Sequence, residues 1–193
     1  MKQILILALP LLALSACNEA ADSTVNADDT AMVTETENAM AVNDMAMNGA
    51  MPAVASADYL AMAGASDMFE IESSKAVNET TKSAGIKSFA QMMISGHTDS
   101  TAKVKAAAKE AGMTVAPPKL SSAQQAMLDQ IKAAPAASRN GLYLRHQATA
   151  HAEALSLHQG YASSGDSMPL KKAAGEIAPV VQRHIAELGK IKA

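Results

Sequence analysis

Aromatic residues make up only 3% of this 193-residue sequence, Trp is absent, and there is a single Cys. One Cys excludes an intrachain disulfide and any structural zinc site built from four Cys or from two Cys and two His. Scarce aromatics argue against a β-sandwich, whose strands draw on aromatic and β-branched side chains. An excess of positive charge is also lacking. Sixteen Lys and Arg stand against 19 Asp and Glu, a net charge of -3, so nucleic acid is not expected as a partner. What is abundant is small and aliphatic: 49% of residues are hydrophobic, chiefly Ala, Leu, Met, Ile and Val. That composition favours an all-α domain of modest size.

The first seventeen residues read as an address. A short basic start, Met1-Lys2-Gln3, precedes the apolar run Ile4–Ala16, interrupted only by Pro10 and Ser15. A bilayer-spanning helix needs about twenty apolar residues, so this run is too short to span and reads as the core of a secretory signal. It ends Leu14-Ser15-Ala16-Cys17, which resembles the lipobox of bacterial lipoproteins. That resemblance implies acylation of Cys17 and membrane anchoring through its lipid chains, each buried methylene adding about 0.8 kcal/mol. Asn18 after the Cys implies sorting to the periplasmic face of the outer membrane.

Between Asn18 and Ala57 there are seven acidic residues and no Lys or Arg, and the bulky aliphatics are nearly confined to four Val. Such a segment cannot bury enough apolar surface to offset its ordering entropy. The expected organisation is a signal peptide at residues 1–16, a disordered acidic Met- and Ala-rich tether at 17–56, and a folded domain at 57–193. Met40, Met45, Met47 and Met51 lie in the tether. Thioethers favour Cu(I), but frequent Met in a low-complexity segment explains the group as well.

The domain reads as four long helices with no strand signal. The first runs from about Asp58 to Thr81, with Ser56 or Asp58 as N-cap. The second runs from about Ala84 to Ala111, where Gly112 supplies a left-handed residue. Pro117-Pro118 stops any continuation. A short helix capped by Ser121 or Ser122 follows, with Gln124 or Gln125 completing a capping box. The third long helix covers about Ala136 to Tyr161, with Leu144, Ala148, Leu155 and Leu157 expected to face inward. Ser167 and Pro169 open the fourth, whose stripe is Leu170, Ala174, Ile177, Val181, Leu188 and Ile191. The expected architecture is a four-helix bundle whose long connection between helices 2 and 3 contains the short helix.

All five His lie in this domain. His97 continues the stripe Ile86, Ala90, Met93, and His184 continues Ile177 and Val181. His151 and His158 interleave with the apolar residues of the third helix, while His146 is off its stripe and expected to be exposed. Glu70 stands on a line of small residues in the first helix. Each helix thus offers one inward polar group: Glu70, His97, His151 and His184. Counted from the helix ends at about 1.5 Å per residue, all four fall near mid-height. Three imidazoles and a carboxylate at one level suit a divalent transition metal such as Zn, Cu, Mn or Fe. Pro179, one turn before His184, removes a helical hydrogen bond and is expected to bear on that ring's position.

Several segments together resemble the bacterial family catalogued as domain of unknown function 4142. They are Met68-Phe69-Glu70-Ile71-Glu72, Phe89-Ala90-Gln91-Met92-Met93 through His97-Thr98, the Tyr143-Leu144 helix with His151, and Ala178-Pro179 with His184. The resemblance spans about Ala57 to Ile191 and implies an envelope protein with a ferritin-like bundle, without bringing an agreed activity. The sequence departs from the family pattern at Gly96 and Ala150, where acidic residues usually precede the two His. If such acids orient the imidazoles, metal affinity here is expected to be lower.

A di-iron oxidase needs Glu-x-x-His pairs on two helices, and Ile94, Ala148 and Val181 occupy the positions three before the His. Gly-x-Ser-x-Gly elbows and P-loops are also missing. An enzyme is therefore not the favoured reading. Two readings remain: a lipid-anchored bundle binding a mononuclear transition metal for buffering, sensing or transfer, and an envelope structural or stress protein acting through protein contacts.

Overall fold

In a computed structural model, which describes residues 54–191, all regular structure is helical. The elements are α1 (Ser56–Asn78), α2 (Ala84–Glu110), α3 (Ser122–Ala133), α4 (Ala136–Ser164) and α5 (Met168–Leu188). The lipidation site expected at Cys17, the expected signal peptide, the expected tether up to residue 53, and Met40, Met45, Met47 and Met51 lie outside the described residues. No helix among those described is long and apolar enough to cross a membrane.

The helix boundaries follow local chemistry. Ser83 caps α2 by accepting from the Ile86 amide. At the other end Gly112 takes φ +70, and the Met113 amide reaches back to the Ala108 carbonyl at 2.8 Å. With Gly112 N–H on the Lys109 carbonyl, this is a complete Schellman closure that a side chain with a Cβ would strain. Ser121 and Gln124 form the reciprocal capping box of α3. Arg139 caps the other end of α3 by donating to the Ala134 carbonyl, its charge also suiting the negative end of that helix.

Two expected termini of α1 differ from those observed. Ser56 is not the N-cap; Ala55 occupies that position, and the Ser56 hydroxyl instead engages Tyr161 and Asp166 at the α4–α5 turn. At the far end the helix stops at Asn78 rather than Thr81, because the Thr80 and Thr81 amides both fold back onto the Val77 carbonyl.

Helix α1 packs against α2 and α4, and α5 against α4 and α2, so the long helices follow one another around the bundle as α1, α2, α5, α4. Adjacent helices are antiparallel: Tyr59, early in α1, touches His158, late in α4, while Ser74, late in α1, bonds Tyr143, early in α4. Helices α2 and α4 then run the same way on a diagonal, and the chain must return along the bundle between them. Helix α3 lies in that return and closes one end with buried Leu128 and Ile131.

The core consists of two apolar clusters. One gathers Tyr59, Leu60 and Ala63 with Val104, Ala108, Tyr161, Leu170, Ala174, Ile177 and Val181. The other gathers Phe69 and Val77 with Ile86, Phe89, Met93, Leu128, Ile131 and Tyr143. Along α2 the sequence passes from Met93 in the second cluster to Val104 in the first, with buried His97 and Ser100 between them. A buried polar layer therefore separates the two apolar parts.

The inward face of α4 is not the one expected. Tyr143, Gln147, Ala150, His151, Ala154, His158 and Tyr161 are buried, whereas Leu144, Leu155 and Leu157 are half-buried and Ala148 is exposed. Weighting Leu as the inward residue rotates the stripe, because this helix turns its polar and aromatic residues to the interior and leaves Leu at the seams with its neighbours.

Candidate metal centre

Helices α2, α4 and α5 bring His97, His151 and His184 together. A ring nitrogen of each lies within 4.8 Å of one on each of the others. Their ring centroids form a nearly equilateral triangle, 5.5 Å from His97 to His151, 5.3 Å from His97 to His184 and 5.5 Å from His151 to His184. All three rings are buried.

Two of these rings have a fixed proton. His97 Nδ1–H donates to Asp67 Oδ1 at 2.9 Å, and Asp67 Oδ2 accepts from the Thr101 hydroxyl at 2.9 Å. His151 Nδ1–H donates to the Gln147 carbonyl one turn earlier, also at 2.9 Å. The opposite nitrogen of each ring, Nε2, is left with a lone pair and no partner, and His184 Nδ1 likewise has no partner. Buried polar atoms normally find partners, so three orphaned nitrogens on three neighbouring rings need an explanation. Ligating imidazoles show this arrangement: one nitrogen bonded to a carboxylate or backbone carbonyl, the other free for the metal.

Glu70 is fully buried beside the cluster, with Oε1 3.1 Å from His151 Nδ1. It is not one of the mutually close set, and neither of its carboxylate oxygens receives a hydrogen bond. A buried carboxyl group that receives no hydrogen bond is costly, and a cation held by the three imidazoles would offset that cost. The residues thus fit a metal ion, with Glu70 next to the imidazole set rather than within it.

The electrostatics divide the rings. Burial alone would lower the His97 pKa, but the Asp67 hydrogen bond and the Glu70 and Asp67 charges together raise it above the ordinary value. His184 goes the other way, to about 3, through burial and the neighbouring His97, His151 and Arg183. The neutral form that ligation requires is therefore the favoured state of His184.

Gly96 makes room for His184. A Cβ at that position would lie 2.7 Å from His184 Cε1 and 2.9 Å from Nε2, closer than atoms can pack. The acid missing at Gly96 is not missed by His97, which takes its carboxylate from Asp67 on α1. The lower affinity expected from that departure therefore loses its premise for His97. Ala150, the other departure, is packed in an apolar cluster. Asp67 precedes Glu70 by three residues and so shares its helix face, a spacing that could have revealed it in the sequence.

His158 lies beyond the triad, its Nδ1 3.0 Å from the Tyr59 hydroxyl, with burial pushing its pKa down to about 4. His146 is half-exposed and bonds Gln130 across the α3–α4 contact at 3.1 Å. Behind Glu70, Gln147 Nε2 donates to the Ser73 hydroxyl, which donates to the Glu70 carbonyl, holding α1 and α4 in register. Pro179 sits within α5, which continues through it to Leu188.

The protein is thus a helical bundle enclosing a buried three-histidine cluster that could hold a metal ion. Over residues 41–191 the chain matches the family described as Domain of unknown function (DUF4142), and it belongs to that family. No curated protein and no solved structure matches it.

Proposed function

We propose that this is a lipid-anchored envelope protein whose ferritin-like bundle binds one transition-metal ion through His97, His151 and His184, for buffering, sensing or transfer. The observation that carries the reading is the set of three buried, unpartnered nitrogens, His97 Nε2, His151 Nε2 and His184 Nδ1. Three imidazoles with a carboxylate alongside suit Zn, Cu or Fe better than Mn, which prefers oxygen donors. Glu70 would balance the charge, and Asp67 and the Gln147 carbonyl would hold two rings in the ligating tautomer. Placement at the periplasmic face of the outer membrane rests on the Leu14-Ser15-Ala16-Cys17 sequence and on Asn18.

The test is the metal content of protein purified without a His-tag, followed by thermal unfolding of the chelator-stripped protein with each ion. A folded state that alone presents the ligands together gains about 2.7 kcal/mol at a hundredfold excess of ion over Kd. His151→Ala or His184→Ala should abolish the response and His146→Ala should preserve it. Failure of Zn, Cu, Mn and Fe alike to raise the melting temperature would refute metal binding.

A further inference from the structure

A cavity of about 210 Å³ lies between α2 and α5. Its walls include Gly96, His97, Ser100 and Lys103 from α2, and Arg183 and His184 from α5. The cavity therefore reaches two of the three imidazoles. On the α1–α4 side the site is closed, since Glu70 and His151 are completely inaccessible, while His97 and His184 retain slight exposure.

Ser100 follows His97 by three residues on the same face of α2. It is buried, lines the cavity, and its hydroxyl has no hydrogen-bond partner. An unsatisfied buried hydroxyl costs free energy unless something arrives to accept its proton. Lys103 and Arg183 add positive charge to the walls; Lys103 is paired with Glu176 across the α2–α5 seam, and Asp99 also lines the space. Three protein ligands leave a tetrahedral ion one position short, and the α2–α5 side is where the rings meet open space.

We infer that this cavity admits a small anion from solvent and seats it at the metal, with the Ser100 hydroxyl donating a hydrogen bond to it. This rests on the metal reading above. Ser100 is a positioning residue for the incoming ligand and not a ligand of the metal itself. The volume has room for a small anion such as azide, formate or acetate together with a few waters.

The experiment uses the full chain loaded with Co(II), whose visible bands report the coordination shell, titrated with azide. The bands should shift saturably. Ser100→Ala should weaken azide by about tenfold, the worth of one hydrogen bond to a charged acceptor, with Co(II) affinity changed by less than about twofold. Ser100→Thr, which keeps the hydroxyl, should restore azide binding. Co(II) bands that ignore azide, or azide affinity equal in Ser100→Ala and the unaltered protein, would overturn this inference and leave metal binding standing. Absence of any Co(II) bands, with no thermal response to the other ions, would overturn both.

Discussion

His97 Nδ1 on α2 donates to Asp67 Oδ1 on α1 at 2.9 Å, which leaves Nε2 as the unpartnered nitrogen of a ring set among His151 and His184. The carboxylate is itself anchored by Thr101, one turn further along α2, so α1 and α2 fix the ring together. Removing an orienting partner of this kind costs about 10–100-fold in metal affinity. Asp67→Ala should therefore weaken the ion by that amount in a chelator competition, and Asp67→Asn, which keeps an acceptor oxygen, by less. Equal affinity in Asp67→Ala and the unaltered protein would mean that the contact serves packing only.

Gly96 should not tolerate a methyl group. Because the new Cβ would sit 2.7 Å from His184 Cε1, the ring must move or α2 and α5 must separate. Overpacking of this sort costs about 1–3 kcal/mol, and the displaced ring would no longer meet the other two. Denaturant unfolding of Gly96→Ala should show the loss of stability, and metal titration the loss of affinity. A variant with unaltered stability and binding would show that His184 has a second equivalent position.

His158 should make the metal-free domain sensitive to acid. Its pKa falls from the ordinary 6.5 to about 4 in the fold, chiefly by burial, so the unfolded chain takes up the proton first. The stability associated with the neutral ring is complete above pH 6.5, declines as pH falls toward about 4 and is then lost. At 1.36 kcal/mol per unit the whole loss is about 3 kcal/mol. Unfolding free energies measured from pH 7 to pH 4 should fall more steeply for the unaltered protein than for His158→Gln, which lacks this proton uptake. Parallel curves would mean that the fold does not lower the His158 pKa.

The anchor is tested at Cys17, the single Cys of the chain. Cys17→Ser should abolish fatty-acid labelling and release the protein from the membrane fraction. Label persisting in the variant would place the lipid elsewhere or remove the anchor reading.

Much of the bundle was legible because apolar spacing and caps are local. Gly112, Ser83, the Ser121–Gln124 box and the stripe of α2 all follow from residues within four positions of one another. The inward positions of Glu70, His97 and His184 were legible for the same reason, since a stripe fixes the face of a helix, whereas His151 is buried although the Leu and Ala residues used to place it are not. Helix α4 was misread where the rule was weakest: its interior carries Tyr, Gln and His, and hydrophobicity pointed to the Leu at its edges.

Periodicity along the chain, then, gives an all-α protein whose buried faces carry imidazoles on three of the long helices, two of them on α4. Only packing brings a nitrogen of His97, His151 and His184 within 4.8 Å of one another, sets Glu70 beside them, joins Asp67 to His97 and lines the adjoining cavity with Ser100. The reason is physical. Helical periodicity specifies direction around an axis, whereas convergence depends on the rotation and depth of four packed helices, which every core side chain sets jointly.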